Sequence, residues 1–285
     1  MNWKVSGVGN APALLFETLE STHSLMKAKA SAGEIAPGTL IVADTQTAGR
    51  GRHERTWDSP AGKNLYFNVL IPLEGIPLSS APQITQVAAL TFAEVFKGLQ
   101  DDSNVQGLGN GDIGKVSVKW PNDILCGKHK FCGILAELVY TKSTESSCAP
   151  IPAISMGVGI NANSDSADYA HLGRAVTTLK DICGQVVNRE KLLQTLIAGL
   201  ERAIGQFRAF GITPWVTAWR KMDQFIGARG TVVVNNRCTD QNRDGNNEGI
   251  TKKTGRIIDM NDDGSLRFQC DDGTVETVYS ADLEI

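Results

Sequence analysis

Residues 116–137, VSVKWPNDILCGKHKFCGILAE, contain two strand-forming runs separated by a proline and a short polar turn. Pro121 cannot donate to a ladder of strand hydrogen bonds, so the first strand ends there and leaves Asn122 and Asp123 at its end. Open sheets that carry helices commonly bind ligands at such strand ends. The following turn predicts a hairpin in which Lys130 points back toward Asp123. An exposed hairpin with a turn-forming Asn-Asp pair remains the alternative for this stretch.

The flanking sequence predicts further helices and strands around this hairpin. Apolar residues spaced three and four apart predict amphipathic helices over residues 84–99 and from Leu192 to about Ala209. Hydroxyl residues from Ser21 predict the start of a helix that runs to Ala32 and ends at Gly33, and Pro214 opens a short helix. Short β-branched or aromatic runs predict strands at 39–43, 65–71 and 153–160.

After about residue 224 the pattern changes to short strands separated by Asn, Asp and Gly turns. These strands are predicted at 231–234, 255–258, 266–270 and 275–278. At about 150 residues per domain, a chain of 285 residues is long enough for two domains. The sequence therefore predicts a larger domain over residues 1–224 and a small all-β domain over residues 225–285.

The overall charge excludes one class of protein. With 28 basic and 31 acidic residues the chain carries −3, whereas a general nucleic-acid-binding domain is usually basic. The charge is nevertheless uneven: residues 50–63 carry +2 and residues 115–130 carry +3, while residues 225–285 hold seven basic and eleven acidic residues. This distribution favours a basic centre for one anionic ligand.

The sequence also predicts the compartment. It contains no apolar run of 18 residues and no signal-peptide pattern, which predicts a cytoplasmic protein without a membrane partner. The six cysteines include no CxxC pair, and free thiols are expected for them. The four histidines are scattered, and His23 and His129 are interpreted as polar loop or cap residues.

Two further segments are candidates for ligand binding. Residues 45–57, TQTAGRGRHERTW, place Arg50, Arg52 and Arg55 around two glycines. Arginine forks match phosphate or carboxylate oxygens, so a nucleotide is a candidate ligand, with a solvated basic loop as the alternative. Residues 157–163, GVGINAN, lie at the end of a buried strand. Their glycines would let a ligand approach the backbone closely, and a tight turn is the alternative.

In their order along the chain, these motifs resemble the signature of biotin protein ligases, over roughly residues 20–280. The matching residues are Gln46 to Arg52 with Arg55 and Trp57, Lys119 to Asp123, Lys130 with Gly133 to Glu137, and Gly159 to Asn161. The resemblance implies an α+β fold: a mixed β-sheet with helices packed on it, like the catalytic domain of class II aminoacyl-tRNA synthetases. A small C-terminal SH3-like β-barrel follows in that family.

The resemblance implies a two-step reaction. The biotin carboxylate attacks the α-phosphate of ATP and gives biotinyl-5′-AMP and pyrophosphate, and a lysine of a biotin carboxyl carrier domain then attacks the mixed anhydride. Magnesium is expected with ATP, without a dedicated protein metal site. Since only about 20 residues precede Ser21, the resemblance implies the monofunctional type without an N-terminal DNA-binding domain, and no nucleic-acid partner is expected.

The family's residue roles carry over to matching positions. Lys130, Arg50 and Asp123 would be catalytic, with Asp123 orienting or deprotonating the incoming lysine. The implied biotin-binding residues are Ser21, Thr22, Gln46, Gly49, Arg50, Arg52, Trp57, Lys130 and Gly133. The implied adenylate-binding residues are Arg52, Arg55, Trp57, Asn122, Lys130 and Asn161.

One departure and two alternatives accompany the resemblance. Glu54 replaces a glycine that the family often has in its arginine loop, which predicts altered retention of the adenylate. A lipoate-protein ligase would share the fold and adenylation chemistry but not the Gly-Arg-Gly-Arg loop. A non-catalytic biotin-binding regulatory protein would need no phosphate-binding arginines.

Overall fold

The computed structural model describes residues 1–99, 112–142, 150–236 and 249–285. Most of residues 101–114, which the glycine-rich polar sequence predicts to be a loop, and much of the segment 235–253 lie outside these ranges, as do two of the six cysteines, Cys148 and Cys238. The side chain of Glu54 is not described either. The described residues form twelve strands and five α-helices. The strands are β1 (Ala13–Leu19), β2 (Leu40–Gln46), β3 (Leu65–Pro72), β4 (Val116–Lys119), β5 (Asp123–Cys126), β6 (His129–Thr141), β7 (Ile151–Ile160), β8 (Arg229–Asn236), β9 (Gly249–Met260), β10 (Leu266–Cys270), β11 (Val275–Val278) and β12 (Asp282–Glu284). The helices are α1 (Thr22–Ala32), α2 (Gln83–Gly98), α3 (Leu179–Cys183), α4 (Arg189–Phe210) and α5 (Thr213–Met222).

A seven-stranded mixed sheet in the order β1-β2-β3-β7-β6-β5-β4 is the centre of the fold. Only its edge pair, β1 with β2, is parallel, and the other neighbours are antiparallel. The sequence patterns did not predict β1, whose residues are half-buried or exposed and show no regular alternation. The predicted strands and hairpin are otherwise present, and the fold class predicted from the sequence is confirmed.

Helices cover both faces of this sheet because successive strand residues point to opposite sides. On β2, Leu40 and Val42 face the large core formed with α2 and α4, whereas Ile41 faces a smaller cluster under α1. Helix α1 begins and ends where the sequence predicts. At its start, the Ser21 hydroxyl accepts a hydrogen bond from the backbone N–H of Ser24 at 3.4 Å. Gly33 ends α1 with a φ of 75°, a conformation that favours glycine.

The C-terminal residues form a five-stranded antiparallel sheet in the order β11-β10-β9-β8-β12. It is joined to the larger part by buried hydrogen bonds: the side chains of Gln86 and Trp120 both donate to the Gly264 carbonyl, at 2.6 and 3.0 Å. The predicted small all-β module is thus present as this sheet. The domain boundary at residue 225 stays a prediction.

Asp223 lies at the junction, directly after α5. Its carboxylate accepts hydrogen bonds from the indole N–H of Trp219 at 3.2 Å and from the backbone N–H of Phe225 at 2.9 Å. Burial raises the pKa of this carboxyl to about 6, although these hydrogen bonds and the charge of Lys119 act in the opposite direction. The Asp223 carboxyl therefore binds a proton more tightly in the folded protein than in the unfolded chain.

The raised pKa of Asp223 predicts a pH-dependent stability. The stabilisation that comes with protonation is fully present below about pH 4, the pKa of an unfolded aspartate, and is lost as pH rises through about 6. Asp223→Asn should remove this dependence, so the free energy of unfolding of the variant relative to the wild type should rise by about 2–3 kcal/mol between pH 4 and 8. Urea unfolding across this range tests it, with the exposed Asp262→Asn as control. Parallel stability curves for Asp223→Asn and the wild type would contradict the assignment.

Candidate active site

One open cavity collects most of the side chains singled out in the sequence. It lies where the start of α1, the loop after β2, the β5–β6 hairpin and the end of β7 meet, with a contribution from β12. The predicted site residues that line it are Ser21, Thr22, Gln46, Arg50, Arg52, Arg55, Trp57, Asn122, Asp123, Lys130 and Gly133. Asn161 lines a smaller adjoining cavity that shares Trp57 and Lys130 with the first.

The β5–β6 hairpin brings Lys130 and Asp123 together. The Lys130 Nζ lies 2.6 Å from the Asp123 Oδ1, and each side chain is only 22% exposed. Lys130 sits opposite Leu125 in the ladder, beyond an irregularity that shifts the register between Ile124 and Leu125. Its ammonium also lies 5.4 Å from the centre of a Trp57 ring. The hairpin thus places a partly dehydrated ion pair at the cavity wall, as the sequence pattern predicted.

Two facing glycines let Trp57 lie against the sheet. Gly133 of β6 and Gly159 of β7 are direct partners across the ladder. A Cβ at Gly133 would come within 2.8 Å of the indole, and one at Gly159 within 2.4 Å. The indole therefore occupies space that any larger residue would fill. Gly49 does not line the cavity; its carbonyl accepts from the Trp57 backbone N–H at 2.9 Å and so fixes the loop.

The arginine loop contacts the C-terminal sheet. The Arg55 Nη2 lies 2.7 Å from the carboxylate of Asp282 on β12, and Arg52 and His53 each lie 3.5 Å from the same group. Arg52 also donates to the Ala281 carbonyl at 3.0 Å. Burial lowers the pKa of Arg52, an effect that the nearby carboxylates of Asp282 and Asp123 oppose. Arg50 is exposed at the cavity.

Hydroxyl and amide groups line another part of the cavity. The Gln46 Oε1 accepts from both the backbone N–H and the hydroxyl of Thr22, at 2.8 and 3.0 Å. The Gln46 Nε2 donates to the Ser59 hydroxyl at 3.0 Å. These contacts fix the amide beside Ser21, which caps α1. This part of the cavity can therefore bind a small polar group through several oriented donors and acceptors.

The two asparagines are both engaged with backbone groups. Asn122 donates to the Ile134 carbonyl at 2.7 Å and accepts from Arg52 at 3.3 Å. Asn161 donates to the Thr177 carbonyl at 3.3 Å and so joins the end of β7 to the segment before α3. Asn122 thus lies beside the arginine loop, whereas Asn161 supports the smaller cavity.

Three ionisable residues that line the main cavity have no role predicted from the sequence: His23, Arg174 and Asp282. His23 is not the loop or cap residue that the sequence suggested. It lies in the first turn of α1 and is 2% exposed. Its position directly after the Ser-Thr pair could have indicated the site, whereas no local pattern marks Asp282.

The described residues contain neither a metal-type cluster of side chains nor a helix that could span a membrane. Among the described residues, no three His, Cys, Asp or Glu side chains cluster as a metal site would require. In the same part of the chain, none of the helices is both long and apolar enough to cross a membrane.

Comparisons with known proteins identify the family. Residues 15–161 match the sequence profile of the biotin/lipoate A/B protein ligase family. The chain is 31% identical over 196 residues to the biotin--[acetyl-CoA-carboxylase] ligase of Paracoccus denitrificans, an alignment that covers 67% of this chain and 74% of that protein. It is 29% identical over 274 residues to the bifunctional ligase/repressor BirA of Bacillus subtilis (strain 168), covering 95% of this chain and 72% of the relative.

Solved structures agree on the fold. A biotin protein ligase from Aquifex aeolicus, determined in complex with biotin and ATP, superposes with a TM-score of 0.72 at 21% identity and covers 95% of this chain and 97% of that one. The sequence matches confirm the resemblance drawn from the motifs. The chain belongs to the biotin/lipoate A/B protein ligase family, and within it to the biotin protein ligases.

Proposed function

We propose that this protein activates biotin with ATP and transfers it to a lysine of a biotin carboxyl carrier domain. The single observation that carries the proposal is the Lys130–Asp123 ion pair in a cavity that three loop arginines also line. The Ser21–Thr22–Gln46 part of the cavity suits the polar head of biotin, and the arginine loop suits phosphates. We assign Lys130, which lines the same cavity, to the point where the two substrates meet.

In the first step, a biotin carboxylate oxygen bonds to the α-phosphorus of ATP as the bond to pyrophosphate breaks. Negative charge grows on the leaving group, and Lys130, Arg50 and Arg52 supply fixed cations for it. The phosphates must compete with Asp282 for Arg55, because the two side chains already form an ion pair at 2.7 Å. The adenylate would then lie under Trp57 and beside Asn122 and the Asn161 cavity.

Magnesium fits this step as a companion of ATP. The carboxylates of Asp123 and Asp282, which line the cavity, are paired with Lys130 and Arg55. Because both carboxylates are already paired, Mg²⁺ would be bound mainly by phosphate oxygens and water. Mg²⁺ prefers these ligands to a site made of protein groups alone. The ion would neutralise phosphate charge, while the side chains orient the reacting groups.

In the second step, the carrier lysine must lose a proton before its amine can attack the carbonyl carbon. An amide bond forms, and AMP leaves with the electrons of the anhydride bond. We assign acceptance of this proton to Asp123, one of the two carboxylates that line the cavity. Because it is ion-paired with Lys130, it can exchange that partner for the incoming ammonium.

The cytoplasm is the proposed compartment, since the carrier domain and ATP must both be available. Cys132, Cys183 and Cys270 carry free thiols, which suits a reducing environment. No nucleic-acid partner is proposed, because the chain carries a net charge of −3, whereas a nucleic-acid-binding domain is usually basic.

Incubation of the full chain with biotin, ATP, Mg²⁺ and a purified carrier domain tests the function. The expected result is one biotinyl group on one carrier lysine, measured by intact mass, with matching release of pyrophosphate. Lipoate replaces biotin in a parallel reaction. Modification by lipoate alone would favour a lipoate ligase, and biotin binding without pyrophosphate release would favour a non-catalytic binding protein.

A further inference from the structure

The first turn of α1 is attached to the sheet by a buried polar cluster, centred on His23. The His23 Nδ1 lies 3.1 Å from the Asn68 Nδ2 and 3.3 Å from the Ser155 Oγ, and its Nε2 lies 3.3 Å from the Glu137 Oε2. Lys27, one turn further along the helix, pairs with the same Glu137 oxygen. Three neighbouring strands, β3, β7 and β6, thus each provide one partner of this cluster.

These contacts assign the roles of the imidazole nitrogens. The Asn68 amide also donates to the Ser155 hydroxyl at 3.0 Å, so its NH₂ group faces His23 and Nδ1 is the acceptor. The ring N–H is then on Nε2, which lies 3.3 Å from the Glu137 Oε2. Hydrogen bonds from His23 and Lys27 lower the pKa of Glu137 to about 2, despite its partial burial. Glu137 is therefore a stable negative partner at neutral pH.

Asn68 and Ser155 contact His23 in the first turn of α1, the turn that borders the cavity. Further along the same helix, Met26 and Ala30 pack in an ordinary apolar cluster with Leu70 and Val139. Buried polar groups cost free energy unless each finds a partner, whereas apolar residues would attach this turn without that requirement. The cluster also defines orientation, since hydrogen bonds are directional and apolar contacts are not.

The attached turn holds two of the groups assigned to biotin. Ser21 and Thr22 immediately precede His23, and Thr22 is bonded twice to Gln46. His23 also lines the main cavity beside them. A shift of this turn would therefore move the Ser21 and Thr22 hydroxyls relative to the Gln46 amide, while the arginine loop and Lys130, which belong to other elements, stay in place.

We propose that His23 is a positioning residue for biotin: through Glu137, Asn68 and Ser155 it holds Ser21 and Thr22 where the biotin head binds. This inference rests on the proposed biotin ligase function. It assigns His23 to substrate placement rather than to proton transfer. It further requires that loss of these contacts weakens the binding of biotin and leaves the binding of ATP unchanged, because no member of the cluster belongs to the arginine loop.

His23→Leu tests the proposal, since leucine fills a buried site but cannot bond to Asn68 or Glu137. The Michaelis constant for biotin is expected to rise by about tenfold or more, because the hydrogen bonds that hold this turn are lost. The KM for ATP and kcat should stay within about twofold of the wild type. His23→Gln, which can still donate to Glu137, should recover part of the lost biotin affinity. Lys29→Met is the matched control: it removes a cation from the same helix whose partner is Glu34, outside the polar cluster and the cavity lining, and the KM for biotin should not change.

The outcomes separate this proposal from the one on which it rests. A wild-type protein that transfers no biotin would overturn the ligase function itself. An active wild type with an unchanged biotin KM in folded His23→Leu would overturn only the positioning role, and so would equal increases in the KM values for biotin and ATP. Thermal unfolding verifies the fold of each variant. If His23→Leu does not fold, Glu137→Gln weakens the same contact with nearly the same shape and must raise the biotin KM selectively.

Discussion

Lys130→Ala is expected to lower the overall rate of biotinylation by about 10²–10³-fold, the usual loss when one charge-stabilising donor is removed. Its ammonium is largely shielded from water, at 22% exposure, and lies 5.4 Å from the centre of a Trp57 ring. A charge in such an environment acts on a neighbouring phosphate more strongly than one in bulk water. The loss should appear both in biotin-dependent pyrophosphate release and in transfer from preformed biotinyl-5′-AMP.

Lys128→Ala is the control for this experiment. Lys128 is exposed in the turn of the same hairpin, so the variant loses an equal charge from nearly the same place in the sequence. Its activity should match that of the wild type. If Lys130→Ala is folded, as judged by thermal unfolding, yet retains wild-type rates in both half-reactions, the catalytic assignment of Lys130 is wrong.

Local patterns were sufficient to predict much of the fold and part of the site. The helices α1, α2 and α4 follow from caps and apolar spacing, and the meeting of Lys130 with Asp123 follows from a turn of fixed length between two strands. In each case the interacting residues are close in sequence. The chain geometry between them leaves few arrangements, so periodicity and turn chemistry determine the result.

The remaining features depend on residues that are distant in sequence. Asp282 reaches the arginine loop from the far end of the chain, through packing of the C-terminal sheet against the larger part. Strand β1 is held at the sheet edge by parallel pairing with β2, while its own residues show no alternation. His23 became part of a buried cluster because β3, β6 and β7 are neighbours in the sheet. Strand order is a property of the whole fold, and no single segment encodes it.

Asp123→Asn should separate the two half-reactions. Asparagine keeps the shape of the side chain but cannot accept a proton from the carrier lysine. Formation of biotinyl-5′-AMP should persist, because its charge stabilisation comes from Lys130 and the arginines. Transfer from preformed biotinyl-5′-AMP to the carrier domain should fall by about 10²–10⁴-fold, the usual contribution of a general base. Single-turnover assays with purified adenylate measure this step alone.

The pH dependence of this variant distinguishes proton acceptance from a purely electrostatic role. A free lysine amine has a pKa of about 10.4, so raising the pH supplies a growing fraction of acceptor that is already deprotonated. The deficit of Asp123→Asn relative to the wild type should therefore narrow between about pH 7 and 9.5, whereas the exposed Asp262→Asn should match the wild type throughout. An equal and pH-independent loss in both half-reactions would instead mean that Asp123 acts only by holding Lys130, because releasing that lysine impairs adenylation and transfer together.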